Sequence, residues 1–243
     1  MAEHTGPLER RSLKNEVFDV LQGRIIAGAY APGRWLRQSD IAAELEVSLT
    51  PVREALDQLV AEGLAQRVPY RGVRVPRLTD EDIADAYALR LLLEVTAARA
   101  AARNISAEEA ADLLALVRQT EHLTDPSDMP RYRHLNWRIH RAVASAGGNS
   151  LLARLHGIAM NRFPDWMLYE NLLNRPADLR IGLQREYQEH LDLFEAIASG
   201  VPEEAAEAAL RHLQGVRGDV VTSLGVPEDL LKRREEQIRP PSW

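Results

Sequence analysis

Residues 47–63 read VSLTPVREALDQLVAEG. Thr50 is a good N-cap, and Pro51 suits the first helical position, where no amide donor is needed. Val52, Ala55, Leu56, Leu59 and Val60 then recur at i, i+3, i+4, i+7 and i+8, one apolar stripe on a short helix. Arg53, Asp57 and Gln58 fall off the stripe and face outward. Upstream, Ser39 to Leu45 reads as another short helix with Ile41, Ala42 and Leu45 on its buried side. Two short helices in tight succession, the second polar at its start, predict a helix-turn-helix.

The next residues extend that unit. Leu64 to Val68 alternates like a strand, Pro-Tyr-Arg-Gly at 69–72 is a turn, and Val73-Arg-Val75 is a returning strand. A helix-turn-helix followed by a small hairpin is a winged helix. Arg71 and Arg74 put positive charge on the wing, and Gly72 lets its backbone approach a partner closely. Ser12 to Ala27 supplies the first helix, with Leu13, Val17, Val20, Leu21, Ile25 and Ile26 at helical spacing. Gly28, Pro32 and Gly33 end it.

From Pro32 to Val75 the sequence resembles the DNA-binding domain of the GntR family of bacterial transcription regulators. TPVREAL followed by EGL carries the resemblance. It implies a homodimer on a near-palindromic operator, with the start of helix 50–61 in the major groove. Ser48 and Thr50 are then candidate phosphate contacts. Arg53 reaches a phosphate or a guanine edge, and Arg71 and Gly72 on the wing approach the minor groove or backbone. Two residues depart from the family pattern: Glu46 stands where Gly is usual, and Leu49 stands where Arg is usual.

Charge gives little support to nucleic-acid binding. Residues 1–76 hold ten Lys plus Arg against ten Asp plus Glu, and the remainder holds twenty against twenty-six, which accounts for the whole net charge of −6. Local placement of Arg53, Arg71 and Arg74 has to outweigh that balance. With no cysteine there is no disulfide framework and no thiolate metal site. The N-terminal 20 residues mix both charge signs without a long apolar run, so no signal peptide is expected. The apolar stretch Ala84–Ala102 is interrupted by Arg90, Glu94 and Arg99, so it reads as a core helix and not a membrane span. A cytoplasmic protein with no membrane partner is expected.

Beyond a short linker at 76–78, six helices are expected and no strand. Thr79 with Asp80, Glu81 and Asp82 starts one that runs to about Arg103. Ser106-Ala-Glu-Glu109 is a capping box opening the next, to about Leu123. The others run from about Arg131 to Ala146, Ser150 to Glu170 with a kink at Pro164, Ala177 to Ser199, and Pro202 to Leu224. The fold class is therefore mainly α: a winged helix-turn-helix at 1–76, an all-α six-helix bundle at 77–225, and a charged, poorly packed tail at 226–243.

The second half resembles the effector-binding FCD domain of the FadR subfamily. YALRLLLE at 87–94, IHRAVASAGGN at 139–149, YQEHLDLFEAIASG at 187–200 and AAEAALRHL at 205–213 carry the resemblance. Six helices place it nearer the VanR branch than the seven-helix FadR branch. The resemblance implies a divalent metal, Zn, Ni, Fe or Mn, held by Asn136, His140, His190 and His212. Position 136 is commonly Asp in that family, within a pattern like DxxFH. Asn136 brings a carbonyl oxygen but no charge.

Spacing supports the same residues independently. Asn136 and His140 lie four apart on one helix face. His190 and His212 lie eleven residues either side of Val201, so an antiparallel hairpin turning there sets both ~16 Å from the turn, side by side. Neutral imidazoles suit such metals and leave positions open for a ligand carboxylate. His4, His122, His134 and His156 read as ordinary packed or surface histidines. Arg90 is a candidate anchor for an effector carboxylate. The competing reading is an ion pair with Glu94 at i+4. Arg133 and Arg162 are weaker candidates.

These features together predict a regulator, not an enzyme: a repressor that senses a small organic acid at a metal-containing pocket. Two alternatives remain at this stage. One is a metal-dependent hydrolase or lyase carrying a winged helix, with Glu186 or Glu189 as base, although no base is paired with the ligands as in HExxH. The other is a plain metal sensor.

Overall fold

The computed structural model describes residues 13–238. The N-terminal unit contains α1 (Leu13–Ile26), α2 (Gln38–Glu44), α3 (Leu49–Ala61), β1 (Gln66–Val68) and β2 (Gly72–Arg74). β1 and β2 pair antiparallel, with Gln66 opposite Arg74 and Val68 opposite Gly72. A third segment joins them. Leu36 donates its amide to the Val73 carbonyl, and Val75 donates to Arg34, each at 2.9 Å. The apolar stripe of α3 buries Val52, Ala55, Leu56 and Leu59 against Val17, Leu21 and Ile25 of α1.

The start of α3 differs from expectation. Its N-cap is Ser48, whose side chain makes no cap bond, and the helix begins at Leu49. Thr50 and Pro51 therefore sit inside the first turn. Proline is tolerated there because amides of the first turn have no intrahelical acceptor.

The helical part comprises α4 (Asp80–Asn104), α5 (Ala107–Arg118), α6 (Met129–Ala146), α7 (Ser150–Arg162), α8 (Asp165–Leu168), α9 (Pro176–Ala198), α10 (Pro202–Asp219) and α11 (Glu228–Ile238). α4 is the central element, flanked by α6, α7, α10 and α11. Its Ala84, Ala97, Ala98 and Ala101 are fully buried, which lets the neighbours pack closely. Both expected capping boxes form: Thr79 with Asp82 at the head of α4, and Ser106 with Glu109 at the head of α5.

Three expectations are corrected. α5 ends at Arg118, short of Leu123. The helix expected from Ser150 to Glu170 is not kinked at Pro164 but broken there. Phe163 is extended, as the residue before proline prefers, and a separate short α8 follows. The charged tail is also not loose over 228–238. α11 packs on α4, with Leu231 fully buried, Arg234 paired to Asp85 at 2.6 Å and Arg217 to Glu235 at 3.0 Å. The rest of the tail, 239–243, lies outside the described residues, as does His4.

Candidate metal and effector site

α4, α6, α9 and α10 each contribute to one buried centre. The hairpin of α9 and α10 turns at Gly200 and Val201, and brings His190 and His212 to a ring separation of 4.6 Å. α6 adds His140, 5.1 Å from His190 and 5.4 Å from His212. All three are buried, and one ligating nitrogen from each lies within 4.8 Å of the others. The equal spacing about Val201 thus has the expected spatial consequence.

Second partners set the tautomers. His140 Nδ1 donates to Glu94 Oε2 at 2.8 Å, and His212 Nδ1 donates to Glu189 Oε2 at 3.0 Å. A carboxylate only accepts, so Nδ1 carries a proton in both rings and Nε2 is the nitrogen left to face the centre. Nε2 of His190 and of His212 is buried with no hydrogen-bond partner. Burial, reinforced by His212 and His140, pushes His190 well below the usual imidazole range, so it is neutral. Buried, converging imidazoles, two of them oriented by carboxylates, fit a divalent transition metal in donor type and in second partners. Gly215 permits part of this. A Cβ there would stand 2.9 Å from Glu189 Oε1 and would push that carboxylate away from its place beside His212.

Arg90 is fully buried beside the triad. Its Nε donates to Glu94 at 2.7 Å, its Nη1 to Asp165 at 3.0 Å, and its Nη2 stands 3.5 Å from His140 Nε2. The guanidinium lies over the Phe163 ring. Both carboxylates it can grip are therefore supplied by the protein. The i+4 ion pair with Glu94 forms, and the effector-anchor role expected of Arg90 meets an occupied guanidinium. Burial alone would raise the Glu94 carboxyl, yet Arg90 and His140, with His156, hold it well below the usual carboxylate range. Glu186, also buried, is pushed well above that range by burial and by Asp165.

Asn136 is 5% exposed, one turn before His140 on α6. Its Nδ2 donates to Asp165 Oδ2 at 2.7 Å, and its Oδ1 is buried without a partner. Asp165 was not singled out in the sequence. The signal that could have found it is Pro164, a stop inside an apparent helix, which turns the next carboxylate back toward α4 and α6.

The centre is joined to the winged helix. One turn before Asn136, Arg133 Nη1 donates to the Ala27 carbonyl beyond the end of α1 at 3.0 Å, and its Nη2 donates to Glu170 at 2.8 Å. Asn161 donates to the Glu62 carbonyl at the end of α3 at 3.0 Å and accepts from Trp137 Nε1 at 3.0 Å. A cavity of about 50 Å³ lies at this junction, lined by Ile25, Ile26 and Leu64 on one side and by Tyr132, Asn136 and Asp165 on the other.

On the opposite end of the winged helix, Ser48, Thr50, Arg53, Arg71 and Gly72 are all exposed. No charged partner is found for Arg53 or Arg71 among the described residues. Arg74 is held by Gln66 and lies over Trp35, and Arg67 pairs with Asp57. Gly72 has φ +111° with open space around it, and Tyr70, with φ +61°, projects fully into solvent at the wing tip. Leu49 is 48% exposed at the helix start, where an apolar side chain gains nothing from water. Glu46 has φ +53°, so the turn of the helix-turn-helix uses a left-handed conformation that glycine adopts without strain.

A winged helix-turn-helix head with an exposed recognition helix, carried on a helical bundle, defines a DNA-binding transcription regulator. The chain belongs to the GntR family of bacterial regulatory proteins: that family's model matches residues 13–75, and the FCD domain model matches residues 85–215. Over 206 residues it is 29% identical to the probable D-xylose utilization operon transcriptional repressor of Paenarthrobacter nicotinovorans, covering 85% of this chain and 88% of that one. Its fold is similar to that of Escherichia coli McbR/YncC, with TM-score 0.72 and 23% identity over 85% of this chain and 96% of the other. It is also similar to a putative transcriptional regulator GntR from Rhodococcus sp. RHA1, with TM-score 0.68 and 24% identity over 88% and 98%. These relatives are regulators and not enzymes. Among the described residues no helix is long and apolar enough to cross a membrane.

Proposed function

We propose that this chain is a cytoplasmic, ligand-responsive repressor that binds a near-palindromic operator as a homodimer. It senses a small organic acid at a metal held by Asn136, His140, His190 and His212. The carrying observation is the convergence of three buried imidazoles whose Nδ1 partners, where defined, are carboxylates and whose Nε2 atoms of His190 and His212 lack any protein partner. A bound divalent ion, Zn, Ni, Fe or Mn, supplies positive charge and an open position for a carboxylate oxygen. The repressor reading is supported by the name of the Paenarthrobacter relative.

In this reading residues 1–76 are the DNA-binding head and 77–225 the effector domain. The start of α3 enters the major groove, Ser48 and Thr50 touch phosphate, Arg53 reaches phosphate or a base edge, and Arg71 and Gly72 approach the minor groove or backbone. A second copy has a face to use. α7 exposes Leu151 and Leu155 one turn apart, and the neighbouring α4 exposes Leu89. Arg133 and Asn161 tie that domain to the ends of α1 and α3, and α6 carries both Arg133 and two of the metal residues. The cavity at the junction, about 50 Å³, touches Asn136 and Asp165 on one side and Ile25, Ile26 and Leu64 of the head on the other. An acid that enters there couples the head to the site to the extent that it prefers one arrangement of the two.

The test is a binding-site selection from random duplex DNA, followed by gel-shift titration of the selected duplex with and without metal and a panel of small carboxylates. An inverted repeat bound by a dimer, with affinity lowered by an acid only when metal is present, is the expected result. In the same assay Arg53→Ala weakens binding by ~1–3 kcal/mol if it reads a base, and His140→Ala binds DNA but loses the acid response. A response to metal alone replaces the acid sensor with a metal sensor. Absence of any selected sequence overturns the DNA-binding reading.

A further inference from the structure

Asn136 brings no charge of its own to the histidine site, and the structure places a carboxylate from elsewhere in the chain beside it. The two faces of the Asn136 amide are told apart by their neighbour. Asp165 Oδ2, 2.7 Å away, is a carboxylate oxygen that only accepts, so the NH2 faces Asp165 and the carbonyl oxygen faces the other way. That Oδ1 is buried and unpartnered, on the same helix face as His140. Asp165 is itself fixed by Arg90 Nη1 at 3.0 Å. It reaches this place because Pro164 breaks the helix after Arg162.

We propose that Asp165 is a positioning residue that turns the Asn136 carbonyl oxygen into the fourth ligand of the histidine site and supplies from α8 the charge missing at position 136. This rests on the metal reading above. An amide is free to rotate and present its NH2 to a cation, which repels it; the hydrogen bond to Asp165 forbids that orientation. The hydrogen bond also draws electron density toward the carbonyl oxygen, which strengthens it as a donor.

The experiment is a titration of the metal-free full-length protein with Co²⁺, read by the visible absorption of the bound ion and by the dissociation constant. Asp165→Asn and Asn136→Ala are each expected to lose ~10–100-fold in affinity and to alter the spectrum. The double variant Asn136→Ala/Asp165→Asn is expected to lose clearly less than the two single losses combined, because Asp165 acts largely through Asn136. The transposed pair Asn136→Asp/Asp165→Asn is expected to regain most of the affinity. A purely structural Asp165 lowers the melting temperature of the metal-free protein but leaves Co²⁺ affinity and spectrum at parent values, and that result overturns the proposal. So does additivity in the double variant. A parent protein that takes up no Co²⁺ overturns the metal reading itself, and the proposal falls with it.

Discussion

Arg90→Met keeps most of the side-chain volume at position 90 and removes its charge. Arg90 is 0% exposed and donates to Glu94 at 2.7 Å and to Asp165 at 3.0 Å. Glu94 is buried as well, so its carboxylate loses its cation with no water to replace it. Breaking a buried pair from one side costs ~3–5 kcal/mol. For a chain of this size each kcal/mol lowers the transition by ~2–4 °C, so the helical domain should melt on the order of 6–20 °C below the parent. Glu94→Gln, which removes the charge from the other side, should show a loss of similar size. The double variant should be less damaged than the two losses summed, by ~1–3 kcal/mol, because the second change removes the charge that the first left unpaired. Urea denaturation followed by far-UV circular dichroism gives all three values. A loss below ~1 kcal/mol for Arg90→Met, or simple additivity, would refute a stabilising role for the buried pair and leave the effector anchor, the other candidate role of Arg90, in its place.

Three other perturbations separate the remaining claims. Glu46→Gly relieves a left-handed φ of +53° and should raise the stability of the winged helix by up to ~1 kcal/mol, the strain saved less the extra chain entropy of glycine. Unchanged or lower stability in a urea titration rules out strain at that turn. Leu231→Ala empties a fully buried position on α11 and should cost ~2–5 kcal/mol, whereas a poorly packed tail would make it silent in a thermal melt. Arg133→Met removes the bond to Ala27 and the pair with Glu170. It should leave metal uptake near the parent value and weaken the acid's effect on operator affinity. An undiminished acid response in gel shifts removes Arg133 from the coupling route.

The winged helix was readable because its signals are local. The period of Val52, Ala55, Leu56 and Leu59 defines α3, and the turn at 69–72 defines the hairpin. The sheet contribution of residues 34–36 was not readable, since a single isolated bridge leaves no periodic pattern. In the helical domain the capping boxes at Thr79 and Ser106 marked two helix starts in full. The end of α5 was placed too late because Thr120 and Leu123 stay buried in the turns that follow the helix. The histidine site was readable for an unusual reason: equal spacing about a hairpin turn converts sequence distance directly into spatial neighbourhood. Its supporting carboxylates were only partly readable. Glu94 follows from i+4 spacing to Arg90. Pro164 marks the helix break before Asp165, but the direction the chain takes after it is decided by tertiary packing. The packing of α11 was hidden by its composition: the charged residues of LKRREEQI mask Leu231, the one side chain that is fully buried.

The central claim is that the three histidines and Asn136 hold a metal. It is tested most directly by elemental mass spectrometry of the untagged protein purified without chelator. About one equivalent of a divalent transition metal per chain, lost in His190→Ala while the helical content is retained, is the result the geometry predicts. Content near zero that added Zn, Ni, Fe or Mn cannot raise would contradict it.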